Sequence, residues 1–368
     1  VPALAAAGFT ADHEPIDPDD VRARLRAGLH VMLRNSSLRP DLHRFVELCQ
    51  DARLTAQLSL TTDGAGPAWL VRHGGIDAMV RTLVAARVPL PRAVRYASLN
   101  PATYLHLDEH LGSVTPGRCA DLQILPDFAG SPPDVVLVDG QVRARAGALV
   151  DPWPRVDWTR YSAALRVDPA VSADPASYAP RATPGETVPV MHLASAGIAR
   201  RDEAVVDADG WVPDALHAVL FSADGRFRSS GWLRGFARDL DGLATTYTTS
   251  MGLLVLGRNP KAMARAAASA LPAGAGRGGI AIVEGDEVTA RLDLDIAYTM
   301  SSRPVARVAR EWQSVDAAVR RAGYGFEELL YCLCFITCDF LPDLRLVPSG
   351  LLDVKPYRII TPADRICD

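Results

Sequence analysis

The sequence predicts an α/β protein with two globular regions, and three observations carry that reading. Strand-like and helix-like periodicities alternate from residue 9 to residue 86. A stretch of short strands and turns follows, and beyond a proline-rich tract strands and helices mix again. Alternation of strand and helix implies a parallel sheet, and such sheets place their chemistry at the carboxyl ends of the strands.

Each element has a local reason. "FTADHEPID" sets His13 and Glu14 between a short apolar run and a Pro-Asp helix start. In "IDPDDVRARLRAGLHVMLR" Asp17 is the N-cap, Pro18 is the first helical residue, and Val21, Leu25 and Leu29 recur at helical spacing before a strand over 30–33. Leu42, Phe45, Val46 and Cys49 mark a second helix, "LTAQLSLTTD" a strand ending at Asp63, and Ile76, Met79, Val80 and Leu83 the inner face of a helix over 76–86. "GSVTPGRCADLQILPD" and "DVVLVDGQVRARAG" read as a small β appendage. The tract 151–189, with "DPWP" and "ATPGE", reads as a linker. Beyond it, strands at "HAVLFSADG", "GLLVLG" and "GIAIVEGDEV" and helices at "NPKAMARAAASAL" and "VARVAREWQSVDAAVRRAG" predict an α/β or α+β domain. The expected division is 1–108, 109–150, 151–189 and 190–368.

Composition narrows the function. With 368 residues, 48% hydrophobic and 22% charged, the chain can build real cores. A formal net charge of −4 supplies no basic surface for nucleic acid, so a small, nearly neutral substrate is expected. No apolar run is long enough to span a bilayer and no signal peptide is recognisable, so no membrane partner is expected and the cytoplasm is the expected location. The six cysteines include "CLCFITC", which lacks the C-x2-C spacing of a zinc knuckle or redox pair and reads as buried thiols.

Candidate chemistry clusters at predicted strand ends. His13 beside Glu14 can offer an imidazole to a divalent metal and a carboxylate to water or substrate, or form a capped surface turn. Asp63 can bind a metal and accept a proton from attacking water, or cap a turn. Arg34 can clamp an anionic or carbonyl group, with Ser36 and Ser37 donating hydrogen bonds, or be an exposed strand-end arginine. "HLDEH" sets His106 and His110 one helical turn apart but lacks the glutamate a zinc helix needs, and "PAGAGRGGI" lacks the Gly-Lys-Ser/Thr of a phosphate loop.

The string "SLNPATYLHLDEHLGSVTPGRCADLQIL", followed by "VVLVDGQV", resembles the end of amidohydrolase-superfamily enzymes: an Asn-Pro-Ala helix, then Gly112, Pro116, Gly117, Ala120 and Asp121 leading back to a β-sandwich. Within that superfamily the likeness is to bacterial-type adenine deaminase, through "AGFTADHE", "LRAGLHVMLRNSS", "LTTDG" and "GGIDAMVRTLV", and later "GLLVLGRNPKAMARA", "GRGGIAIVEGDEV" and "LPDLRLVPSGLLDV". The resemblance implies the C-terminal part of a metal-dependent (β/α)8 barrel, a β-sandwich segment and a C-terminal α/β (α+β) domain. It implies His13 as a metal ligand, Asp63 as the metal-associated proton acceptor and Arg34 in the substrate pocket. Iron, manganese or zinc is the implied metal, binuclear in the complete protein, and hydrolytic deamination of adenine or a related aminated heterocycle the implied reaction. The family's first barrel strands, with their His-x-His pair, have no counterpart after Val1, so a barrel half in the same native chain or in a partner chain is expected, as is a homo-oligomer. Gly64, Asn35 and Gly75 stand where the family has aspartate, glutamate and histidine, and Thr248, Thr249, Ser250 and Met251 replace a His-Asp-Ser-His run. These changes leave two alternatives: a degenerate structural or regulatory subunit, or a hydrolase of cyclic amides.

Overall fold

Asp17 begins a helix for purely local reasons. In the computed structural model, which describes residues 1–54, 56–127, 131–154, 156–161 and 165–367, its carboxylate accepts the Asp20 N–H at 2.9 Å. Pro18 fills the first helical position, where no N–H is needed. Short helix α1 (Pro2–Ala6) and strand β1 (Ala11–Asp12) precede this helix, α2 (Pro18–Arg26), and strand β2 (His30–Arg34) follows it. Then come α3 (Val46–Gln50), β3 (Leu58–Thr61), α4 (Pro67–His73), α5 (Ile76–Ala85), α6 (Leu90–Ala97) and α7 (Leu99–Tyr104).

The three strands pair in parallel in the order β1-β2-β3, with Asp12 opposite Val31 and Arg34 opposite Thr61. Val31, Leu33, Leu58 and Leu60 pack with Phe45, Leu48, Met79, Leu83 and Tyr96 into one core. Among the described residues this is an open three-stranded sheet. Asn100, 2% exposed, ties α7 to it: its amide donates to the Leu58 carbonyl at 2.6 Å and its side-chain oxygen accepts from Arg95 Nε at 2.9 Å.

The appendage is an antiparallel meander of β4 (Leu122–Ile124), β5 (Val135–Val138), β6 (Gln141–Arg145) and β7 (Ala148–Leu149). Asp139 and Gly140 both have positive φ, 51° and 73°, as a tight hairpin turn requires, and Asp121 accepts the Asp139 N–H at 2.7 Å. Gly112 has φ 91°, and a Cβ there would sit 2.9 Å from Leu99 Cα and Ala102 Cβ, so close approach to α7 demands glycine.

The second compact unit covers Asp157–Asp368. It contains α8 (Pro169–Ser172), β8 (Thr187–Leu193), β9 (Ala199–Val205), β10 (Ala215–Phe221), β11 (Phe227–Arg234), β12 (Gly242–Thr245), β13 (Leu253–Gly257), α9 (Pro260–Ala270), β14 (Gly278–Glu284) and β15 (Glu287–Leu294). Then follow α10 (Val305–Arg321), α11 (Leu329–Phe335), β16 (Leu344–Val347), β17 (Gly350–Asp353), β18 (Arg358–Pro362) and β19 (Asp364–Arg365). The large sheet runs β15-β14-β12-β13-β10-β11-β8-β9, with β19 added to β11. Among the described residues of its large sheet only β8 and β11 pair in parallel, which makes the unit α+β. Every residue of β10 is buried. Asn259 caps α9, whose alanine face closes over β12 and β14 with Val255, Ala281 and Val283.

Part of the tract expected to be a linker packs into this unit. Val167 and Tyr178 are buried in its core, the Tyr178 hydroxyl donates to Ser172 O at 2.6 Å, and Arg166 N–H donates to Ala223 O at 2.8 Å. Apolar side chains between the prolines find a sheet to cover. The portions of the tract at 155 and 162–164 lie outside the described residues.

Candidate metal centre

Parallel pairing brings the carboxyl ends of β1, β2 and β3 together, and each ends in a polar side chain. His13 and Glu14 leave β1, Arg34 closes β2 and Asp63 follows β3. Among the described residues His13, Glu14 and Asp63 form a set whose ligand atoms all lie within 4.8 Å of one another. One imidazole nitrogen with two carboxylate oxygens is a donor set that divalent zinc, manganese or iron accepts.

Arg34 organises the two carboxylates. Its side chain is 5% exposed, against 56% for Glu14 and 37% for Asp63. Nη1 donates to Glu14 Oε1 at 2.6 Å and to Asp63 Oδ2 at 2.8 Å, while Nη2 donates to Glu14 Oε2 at 2.8 Å. Burial works against the guanidinium charge, yet the hydrogen bonds and charges of Glu14 and Asp63 outweigh it and hold the Arg34 pKa above its ordinary value. The expectation of an arginine free to clamp substrate therefore meets a different geometry: its fork is engaged by the neighbouring carboxylates.

The backbone around the site is fixed by further polar groups. Asp12 accepts the Glu14 N–H at 2.6 Å and Arg24 Nε at 2.7 Å. Burial raises its pKa, but these bonds prevail and keep the carboxyl below the usual range. Asp63 adopts φ 46°, a left-handed conformation that Asp and Asn tolerate best among non-glycine residues. Ser36 and Ser37 are buried, and their hydroxyls accept backbone N–H groups from Arg39 at 3.3 Å and Gly66 at 3.1 Å, which places both in the loop framework. Arg39, which the sequence reading did not single out, lies 3.6 Å from Glu14 Oε2 and binds Asp41 at 2.6 Å. The only sequence signal for it is a second arginine five residues beyond the strand-end one.

Other candidates lie elsewhere. His106 and His110 follow the end of α7, and φ 58° at His106 breaks the helical path, so they do not share a helix face. His30 opens β2 at the opposite end from Arg34, where it meets Ser59 Oγ at 2.9 Å and stacks on Tyr104 at 4.5 Å. Burial lowers its pKa. Thr248, Thr249 and Ser250 form a hydroxyl network with Thr337, while Met251 takes φ 58° and is 41% exposed. Residues 273–276 form the loop before β14.

Residues 10–146 match the amidohydrolase family model, and residues 195–358 match that of the adenine deaminase C-terminal domain. The chain resembles bacterial-type adenine deaminases of the amidohydrolase superfamily. An adenine deaminase of Cenarchaeum symbiosum is 31% identical over 96% of this chain and 59% of its own length. That of Moorella thermoacetica is 30% identical over 96% of this chain and 61% of its own length. The chain thus spans about three fifths of the length of these curated relatives. The His13, Glu14 and Asp63 cluster falls inside the amidohydrolase match.

Proposed function

We propose that this chain forms part of an adenine-deaminase-like, metal-dependent hydrolase that replaces the exocyclic amine of adenine, or of a related aminated heterocycle, with oxygen from water and releases ammonia. The observation that carries this reading is the convergence of His13, Glu14 and Asp63 at parallel strand ends within the matched amidohydrolase segment. His13 and Asp63 would hold the cation, and a divalent ion there supplies Lewis acidity toward water.

Asp63 takes a proton from the attacking water and passes it toward the leaving amine, a task suited to a carboxylate that is 37% exposed and oriented by Arg34. Glu14, held at the same guanidinium, orients water or the heterocycle. Arg34 fixes both carboxylates, and Ser36 and Ser37 hold the adjoining loops that frame the substrate. One imidazole and two carboxylates leave part of a binuclear centre to other groups, so we assign the remaining ligands to further barrel strands, whether in the same polypeptide or in a partner. Iron, manganese and zinc all fit the donor set.

The test is ammonia release by the complete metal-loaded protein from adenine, a panel of aminated heterocycles and a panel of cyclic amides. No turnover on any of them, together with an Asp63→Asn variant indistinguishable from wild type in metal content, would overturn the proposal. Turnover confined to cyclic amides would move the substrate class and keep the site.

A further inference from the structure

A second charged cluster lies in the C-terminal unit, far along the sequence from the site above, at the end strand of its large sheet. Arg291 and Asp293 project from the same face of β15, and the β14 residues opposite them are the small Ala281 and Gly279. Arg277, at the end of the glycine-rich loop before β14, brings Nη1 within 3.5 Å of Asp293 Oδ2. Arg303 brings Nη2 within 3.5 Å of the same oxygen. Three guanidinium groups thus converge on one carboxylate, which receives a full side-chain hydrogen bond from Arg291 Nε alone, at 2.6 Å.

The surrounding acids do not saturate these cations. Glu311 pairs with Arg303 at 2.7 Å and with Arg307 at 3.0 Å, and Asp295 accepts the backbone N–H and hydroxyl of Ser302. Among the described residues, Arg277 Nε and Arg291 Nη2 are shielded by protein yet have no acceptor. Buried, unpaired donors on charged groups are costly and rare in folded proteins, which marks the cluster as short of acceptors. The two side chains are nevertheless 42% and 34% exposed, so their outer edges are reachable from solvent.

We infer that Arg277 and Arg291, flanking Asp293 at the sheet edge, form a binding site for a phosphate group. Two planar guanidinium forks, one from the loop before β14 and one from β15, suit an oxyanion with three acceptor oxygens, and Asp293 holds Arg291 through Nε while the solvent-facing edges of the two forks meet the ligand. The phosphate can be the free ion or the 5′-phosphate of a nucleotide. The site is independent of the proposed hydrolase reaction.

Isothermal titration of the whole protein with inorganic phosphate and, separately, with adenosine 5′-monophosphate, at constant ionic strength in chloride, tests this. Expected is saturable binding of one ligand per chain, weakened at least tenfold by Arg277→Gln and by Arg291→Gln. Arg265→Gln, an exposed arginine of α9 outside the cluster, should leave it unchanged. Arg291→Lys, which keeps the charge and loses the fork, should also weaken it. Equal affinity for the two ligands assigns the free ion, and tighter nucleotide binding assigns the nucleotide. Absence of saturable binding by both ligands, or affinities in the folded Arg277 and Arg291 variants equal to wild type, would overturn the inference. Circular dichroism melting identifies any variant that fails to fold, for which Arg291→Lys gives the replacement reading.

Discussion

A single nitrogen of Arg34, Nη1, lies 2.6 Å from Glu14 and 2.8 Å from Asp63, so one buried cation joins the ends of three parallel strands. The arrangement fixes two carboxylates that would otherwise repel each other, and Arg34→Leu should therefore cost stability as well as function. The partners are about half exposed and can be rehydrated, so we expect a loss of only about 1–2 kcal/mol in urea unfolding. Arg34→Lys keeps the charge but not the fork, and it should lower metal affinity by roughly 10- to 100-fold, read by titration calorimetry. Wild-type metal affinity in both variants would show that the guanidinium does not orient the ligands.

Asp63→Asn removes a proton acceptor and a metal-holding carboxylate together. Asparagine tolerates the φ of 46° at this position, so folding should be unchanged by circular dichroism, while turnover falls roughly 10²- to 10⁴-fold.

His13 tests the metal. Adding manganese or zinc should raise the melting temperature of the wild-type protein, because a ligand that binds only the folded state stabilises it. Chelation should reverse the shift, and His13→Ala should abolish it. A melting response retained in His13→Ala would place the cation elsewhere.

His217 sets an acid sensitivity of the C-terminal unit. It is buried beside Trp211 and Trp232 and donates from Nδ1 to Tyr178 O at 3.0 Å. Burial pushes its pKa down to about 4 from 6.5. Between these values the unfolded chain binds the proton and the folded one does not, so stability is full above pH 6.5 and falls as pH drops toward 4. The loss amounts to roughly 3 kcal/mol. In His217→Gln this component of the stability–pH curve should vanish; an unchanged slope between pH 6.5 and 4 would contradict it.

Thiol chemistry should divide the cysteines. Burial pushes Cys49 and Cys332 up to about 12 and Cys334 up to about 11, and Cys338 is buried as well, whereas Cys119 and Cys367 are exposed. Iodoacetamide at pH 8 should alkylate Cys119 and Cys367 within minutes and the other four only after unfolding, as peptide mass spectrometry will show.

Local chemistry determined much of this protein from its sequence. Asp17 and Asn259 cap helices, short apolar runs mark β2 and β3, helical apolar patterns mark α5, α9 and α10, and His13, Arg34 and Asp63 all occur where apolar strands end. These features depend on residues within a turn or two of each other, which a linear reading can see. Partners distant in the chain belong to the tertiary structure. Arg34 reaches Glu14 and Asp63 across 20 and 29 residues and so links two carboxylates. Asn100 finds Leu58 O 42 residues away, and Arg277, before β14, and Arg303, after β15, meet at Asp293. The α+β character of the second unit follows from strand order, in which β8 lies beside β11 and β15 ends the sheet, and no local pattern encodes that order. Burial then decides what each charged group can do, because desolvation and pairing act on the assembled environment rather than on the residue type.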